Sequence, residues 1–496
     1  MRQGRLAGRY PAAAAMVVFA LIPYLALSAA LQPLTPIITR DLHMSLQTLS
    51  LGSGLANAGY AVGTVLAVAL AQHLPQRRLL VGYAALLVVG SVLTATAQNS
   101  TMFIVGHVLQ GLCTSLMLIA AVPPLALGFG TAKLRETAVI MNLCIFGAVA
   151  LGPTVGGIQA QANAWRPLFF IIAGVSLAAL VLTVLTFEDA PPANPNAPFD
   201  PPAIGLAAAG SVAAFFGASE LLTHKFLSPI TFVPLVGGLA LIVVLIVYQF
   251  RAKRPLLTIR SMLTSTMPVA GIVVALFAAA ASVSATALSA ALLAGQYSAL
   301  QLGLLYLPEL AGAVLTAFAL GIVITRREMH FLPLAGMVFL AAGIAMFLIQ
   351  IPPSQTLTLI GSALTGIGLG ASVAPALFVA GFSLPSANLQ RVFAIIELMR
   401  AVAAFMIAPL FAHFAATVGG SLESGTRIAL WIGFGLAIAG AIIAIALYVL
   451  GGARPQKPDL DRFMAGERPA WYSPPLLAGI RKRSRRRAFA EEPSGA

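Results

Sequence analysis

Six ionisable side chains, His107, Glu220, Glu309, Glu397, Arg400 and His413, stand inside long apolar runs of this sequence. A charge at membrane depth costs about 2.5–3.5 kcal/mol on insertion scales, so each such group needs a partner, a water-filled cavity or a function. Glu397 and Arg400 are three residues apart, which places them on one helix face within ion-pair reach. Two readings stay open for them: a structural pair that offsets its own insertion cost, or a pair whose separation is a step in coupling. Glu309 follows Pro308 about eight residues into its run, roughly 12 Å deep at 1.5 Å per residue. It has no sequence-adjacent base, and an unpaired acid in a low-dielectric site is able to take up and release a proton, as a proton carrier must. The structural alternative is a neutral glutamic acid hydrogen-bonded to a neighbouring helix. Glu309 is the first candidate for coupling. His107 lies in "IVGHVLQG"; an imidazole, with an ordinary pKa near 6.5, changes charge over the physiological range where an arginine does not. Gln110 shares its face. The alternative for His107 is a neutral ring hydrogen-bonded across to another helix. Glu220 reads as interfacial, at the end of its run, and His413 as a helix-end or cross-bundle hydrogen-bonding group.

The elements that must carry these groups follow from composition. The chain has 496 residues, 59% hydrophobic and 9% charged, with a mean hydropathy of +0.94. That places it in the membrane class. Apolar runs of roughly 20 residues, long enough to cross a bilayer as helices, recur fourteen times, from about 12–34 to about 427–451. An even number of crossings puts both termini on one side. Of the 29 lysines and arginines, Arg40, Arg166, Lys225 and Arg427 fall in the loops opposite the termini, Arg400 falls within a run, and all others lie on the terminal side. The positive-inside rule makes that side cytoplasmic. The basic start and "ALSAA" in the first run resemble a secretory signal, but the apolar run continues to Leu34, which favours a span.

The net charge of +14 follows from these loops and from the tail, so no nucleic-acid partner is expected. "RKRSRRR" at 481–487 reads as a solvated or lipid-touching tail. Cys113 and Cys144 fall inside spans with no metal-ligand spacing, so neither a disulfide nor a metal is expected. No nucleotide-binding glycine-lysine loop or catalytic constellation is present in the sequence, so the expectation is no enzyme, no cofactor and no direct use of ATP.

Two polar segments, "FEDAPPANPNAPFDPP" (187–202) and "RAKRPLLTIRSMLTS" (251–265), separate six spans, two spans and six spans. The expected architecture is all-α and polytopic. Residues 1–187 form one six-helix bundle, 188–265 a linker and an inserted two-helix hairpin, 266–451 a second six-helix bundle, and 452–496 a basic, disordered cytoplasmic tail. Substrate sites in such repeats lie at the bundle interface.

"GAVALGPTVGG" (147–157) has Gly147, Gly152, Gly156 and Gly157 spaced to admit a close neighbour, and Pro153 to bend the helix. This pattern resembles the antiporter motif of drug:proton antiporters in the major facilitator superfamily. "HVLQG" (107–111) stands where that family's fourth helix carries R-x-x-Q-G. "AQHLPQRRLL" (71–80) stands where its loop between helices two and three carries a D-R-x-G-R-R-type sequence. "PIITRDL" (36–42), "WRPLFF" (165–170), "RPLLTIR" (254–260), "YSALQLGLLYLP" (297–308) and "GIGLGASVAPALF" (366–378) are similar to the fourteen-span antiporter-2 branch. The resemblance covers nearly the whole chain. It implies two bundles around a central cavity, alternating access, and export of amphipathic compounds driven by proton entry across a bacterial inner membrane by a monomer in lipid. It also implies that Arg400 occupies a cavity-facing arginine position.

Three departures stand out. Gln72 replaces the loop motif's acid, with Val68 and Pro75 in place of its glycines, so that mainly Arg77 and Arg78 remain. His107 replaces the fourth-helix arginine. The first span has Tyr24, Ser28 and Gln32 but no acid. The inner gate is therefore expected to be held in another way. The missing acids motivate an alternative, an uncoupled facilitator or importer of the same fold; a membrane scaffold or sensor acting through its tail is the second.

Overall fold

The structure is a computed structural model that describes residues 5–187, 192 and 198–480. Among the described residues, fourteen helices are long and apolar enough to cross a membrane. They are α1 (Tyr10–Asp41), α2 (Leu46–His73), α3 (Gln76–Ala95), α4 (Ser100–Leu127), α5 (Gly130–Gln161), α6 (Arg166–Thr186), α7 (Pro201–Glu220), α8 (Pro229–Arg251), α9 (Thr266–Leu293), α10 (Ala299–Val323), α11 (Leu332–Ile349), α12 (Gln355–Phe382), α13 (Leu389–Thr417) and α14 (Leu422–Gly451). Each expected span is present. Side-chain caps start several of them at the end remote from the termini. Ser45, Asn99, Ser298, Ser354 and Ser421 each accept from a backbone N–H of the first turn that would otherwise lack a partner.

Helices α1–α6 pack into one bundle and α9–α14 into the other. Lipid is as apolar as leucine, so close van der Waals fit, rather than burial of apolar surface, must hold the helices together. Glycine supplies that fit. A Cβ on Gly106 or Gly90 would collide with the facing backbone across α3–α4, and one on Gly336 or Gly368 with the facing backbone across α11–α12. Helices α7 and α8 form a hairpin outside both bundles, with α7 laid along α2 and touching α13. The bundles meet where α2 faces α13 and where α5 faces α10. Below, the face carrying the N-terminus is the near face and the opposite one the far face.

Two spans are irregular. Helix α10 is interrupted at Leu307, ahead of Pro308. Helix α5 stays helical through Pro153, and ahead of the proline its ladder widens to a π turn over Leu143–Gly147. The expectation of disorder from residue 452 onward does not hold for 452–480, which fold back against the near face. Buried Phe463 and Trp471 anchor that segment. The "RKRSRRR" run at 481–487 lies outside the described residues.

Candidate substrate and coupling site

Helix α13 places Glu397 and Arg400 on its buried face. The Arg400 guanidinium donates to the Glu397 Oε2 from Nη2 at 2.6 Å and from Nε at 2.9 Å. The same oxygen accepts from the hydroxyl of Tyr60 on α2, at 3.1 Å, and Arg400 Nη2 lies 3.2 Å from that hydroxyl. Glu397, Arg400 and Tyr60 are 2%, 6% and 0% exposed. An ion pair of the second bundle is thus closed by a phenol of the first, at membrane depth. Tyr60 lies in "NAGYAVG" and escaped the sequence reading, which weighed only ionisable groups there. The available signal was an aromatic polar residue between glycines in an otherwise small-residue span.

From Tyr60 a run of rings leads into the first bundle. Tyr24 of α1 stacks on Tyr60 with centroids 5.9 Å apart, and its hydroxyl donates to Asn57 Oδ1 at 2.6 Å. The His107 ring lies 5.5 Å from Tyr24 and 6.0 Å from Phe103. His107 Nδ1 is 3.2 Å from Gln110 Oε1, Gln110 Nε2 donates to Ser91 Oγ at 3.1 Å, and Ser91 Oγ is 3.0 Å from Ser176 Oγ. Because the amide nitrogen of Gln110 is used on Ser91, the imidazole N–H is the donor in the first bond. His107 and Gln110 are therefore buried inside the first bundle, 1% and 0% exposed, and reach the bundle seam through Tyr24 and Tyr60.

Glu309 stands on α10 two residues after the break at Leu307 and is 8% exposed. No hydrogen bond or ion pair joins its carboxyl group to another described residue. Its carbonyl fills the space that a Cβ at Gly366 of α12 would need. One turn earlier, the Tyr306 hydroxyl donates to Ser289 Oγ of α9 at 2.7 Å. Glu309 shares no bond with the Glu397 cluster.

The glycines of 147–157 serve two neighbours. Gly152 and Gly156 admit the α1 backbone at Ala26 and Ala30, and Gly157 admits Ala299 and Leu300 of α10. Gly147 faces Leu310 of α10 at ordinary contact distance. The Thr154 hydroxyl adds a 2.8 Å bond to Gly303 O of α10. A second cross-bundle bond runs from Asn142 Nδ2, just before the π turn, to Gly370 O of α12 at 3.0 Å. Neither Thr154 nor Asn142 was singled out in the sequence, since nothing local distinguishes them from packing residues.

On the near face, Gln72 is buried, Arg78 is exposed and Arg77 Nη2 donates to Val184 O of α6 at 3.2 Å. Beside this loop a cleft of about 270 Å³ separates the bundles, lined by Leu74, Gln76, Pro123, Pro124, Leu389 and Gln390 among others. On the far face Glu220 ends α7 and is 4% exposed. It accepts from Gln47 Nε2 at 2.8 Å and lies 3.0 Å from His224 Nδ1. His413 reaches across from α13 to Leu221 O at the end of α7, 3.0 Å away. Among the described residues no group of three His, Cys, Asp or Glu side chains is placed to hold a metal.

The sequence is 26% identical over 345 residues to a protein named "Multidrug resistance protein B homolog" of Mycobacterium tuberculosis (strain ATCC 25618 / H37Rv), covering 66% of this chain and 60% of that protein. It is 28% identical over 167 residues to Multidrug resistance protein MdtL of Escherichia coli O139:H28, covering 33% and 41% respectively. The chain therefore spans less than two thirds of the length of these curated relatives. In fold it is similar to the human organic anion transporter MFSD10, with a TM-score of 0.61 at 13% identity, covering 88% of this chain and 99% of that one. It is equally similar to the proton:xylose symporter XylE, with a TM-score of 0.61 at 12% identity and coverage of 88% and 95%. The profile of the Major Facilitator Superfamily matches residues 16–277, more than half of the sequence. The chain belongs to the Major Facilitator Superfamily, a family of transporters rather than of enzymes.

Proposed function

We propose that this protein exports amphipathic organic compounds across a bacterial inner membrane by alternating access, with protons moving inward in exchange. In this reading the near face is cytoplasmic, both termini lie there, and the protein works as a monomer in lipid. The observation that carries it is the Glu397–Arg400–Tyr60 cluster. A buried ion pair that borrows a hydrogen bond from the opposite bundle ties the state of a carboxylate to the closure of the seam. A proton on Glu397 neutralises the acceptor, weakens its hold on both Arg400 and Tyr60, and frees a guanidinium for the polar end of a substrate. Glu309, without a partner, is the first candidate to load and release the transported proton. His107, enclosed in the first bundle, acts on the seam through Tyr24 rather than on substrate. Gln110 positions it. The glycines of 147–157 give α5 a smooth surface along which the first turn of α10 slides, and Arg77 and Arg78 remain as the basic remnant of the near-face gate.

The deciding experiment is substrate-dependent proton flux in proteoliposomes, for the wild type and for Glu309→Gln, Glu397→Gln and His107→Arg. Coupled export requires proton movement that depends on substrate, and the assignment to Glu309 requires that this movement be lost in Glu309→Gln. Unchanged proton movement in that variant moves the coupling role elsewhere. Substrate that only equilibrates in the wild type, with no proton flux, makes the protein an uncoupled facilitator.

A further inference from the structure

The near face carries an element that the transport cycle proposed above does not use. Gly452, with φ of 70°, ends α14 in the left-handed region, and the chain turns back beneath the second bundle. There Phe463 and Trp471, 0% and 1% exposed, close on Phe382 at the end of α12, with ring centroids 4.7 and 5.8 Å away. Trp471 also lies 5.0 Å from His330 between α10 and α11, and its indole N–H donates to Gln456 O at 3.1 Å. The Ala470 N–H donates to Phe382 O at 2.8 Å.

At the start of α9 the backbone pairs again. Thr266 N–H donates to Pro474 O at 3.0 Å, Leu476 N–H to Thr264 O at 2.8 Å, and Met267 N–H to Ser473 Oγ at 3.0 Å. The segment 453–480 is thereby fixed to the second bundle at α9, at α12 and at the α10–α11 corner. Burial pushes the His330 imidazole down to about 4, so it is a neutral wall of this socket at working pH rather than a switch.

Between these fixings, the one-turn helix Leu460–Met464 packs against the beginning of α5, in the first bundle. A strap held by one bundle and resting on the other crosses the seam on the face where the sequence lacks an acid to hold the gate. Gln72 stands in that acid's place. The neighbouring cross-seam bond, Arg135 Nη2 to Thr325 Oγ1 at 3.0 Å, is exposed and uncharged on one side.

We propose that residues 453–480 are an intramolecular latch, which favours closure of the near face by bridging α12 to α5 and so replaces the missing gate acid. The inference rests on the alternating-access reading. Its anchorage to the second bundle comes from the apolar fit of Phe463 and Trp471 rather than from charge, so that anchorage is insensitive to salt.

The test places spin labels on exposed sites of the full chain after replacing Cys113 and Cys144, both free and buried. One pair, Leu74→Cys with Arg327→Cys, reports the near face, and another, Ala162→Cys with Gln296→Cys, the far face. Distances are compared among the intact chain, a chain ending at Gly452, and the full-length double variant Phe463→Ala/Trp471→Ala. Detaching the strap is expected to raise the share of the longer near-face separation about threefold or more, with the far face moving the opposite way. If the intact chain alternates under an imposed proton gradient and both altered chains keep its distribution, the latch is overturned and the transport reading stands. If the intact chain holds one separation on both faces under proton gradients of either direction, the alternating-access reading falls, and the latch with it. Where the shortened chain does not fold, the double variant decides.

Discussion

Glu397 Oε2 accepts two bonds from Arg400 and one from Tyr60, and all three side chains are removed from water. Deleting one member of a buried ion pair costs about 3–5 kcal/mol, because a charge is left without a partner, whereas replacing both by neutral groups costs far less. Arg400→Gln is therefore expected to lower the thermal unfolding midpoint in detergent more than the double variant Glu397→Gln/Arg400→Gln does. The measurement is a double-mutant cycle at neutral pH. If the double variant is as unstable as Arg400→Gln alone, the loss comes from packing of the long arginine side chain, and the carboxylate is not what the guanidinium answers. Helical spacing made this pair legible in the sequence, since three residues apart means one face. Its third member was not legible, because Tyr60 lies 337 positions from Glu397 and only the docking of α2 on α13 brings them together.

Among the elements, α5 is constrained from two sides: α1 lies against Gly152 and Gly156, and α10 against Gly157. Gly157→Val puts a branched side chain where Ala299 O and Leu300 already sit, and forced packing of this kind costs about 1–3 kcal/mol. Transport is expected to fall about tenfold or more in Gly157→Val at equal expression, while Gly174→Ala on α6, where a Cβ meets nothing within 4 Å, keeps wild-type activity. Equal transport by both variants would mean that α10 does not need this surface. The fourteen spans and the glycine face were readable because hydropathy and small-residue spacing are local properties. The π turn at Leu143–Gly147 has no such signature, since no proline or other breaker marks the place where the ladder widens. The folded strap was misread for a related reason. Prolines and arginines over 453–480 look like a disordered tail until Phe382 and His330, from distant parts of the chain, supply a socket for Phe463 and Trp471.

At the scale of the whole molecule, the two bundles touch along two seams, and the proposed cycle requires both to open and close in turn. The α2–α13 seam is polar at its centre, at Tyr60, while the α5–α10 seam is fastened near both faces, by Thr154 to Gly303 and by Arg135 to Thr325. On the near side, a Cβ at Gly321 of α10 would lie 2.6 Å from Val139 Cγ2 of α5. Replacing both residues by cysteine removes that collision and brings two Cβ atoms toward the roughly 3.5–4.5 Å separation that a disulfide needs. In a background without Cys113 and Cys144, Val139→Cys/Gly321→Cys is expected to cross-link under mild oxidation, and transport into or out of vesicles is expected to stop. Reduction should restore it. A chain that forms the cross-link quantitatively, read from the loss of free thiol, and still transports at the unoxidised rate would show that α5 and α10 move as one unit. The opening would then be confined to the α2–α13 seam, with Tyr60, Glu397 and Arg400 at its centre.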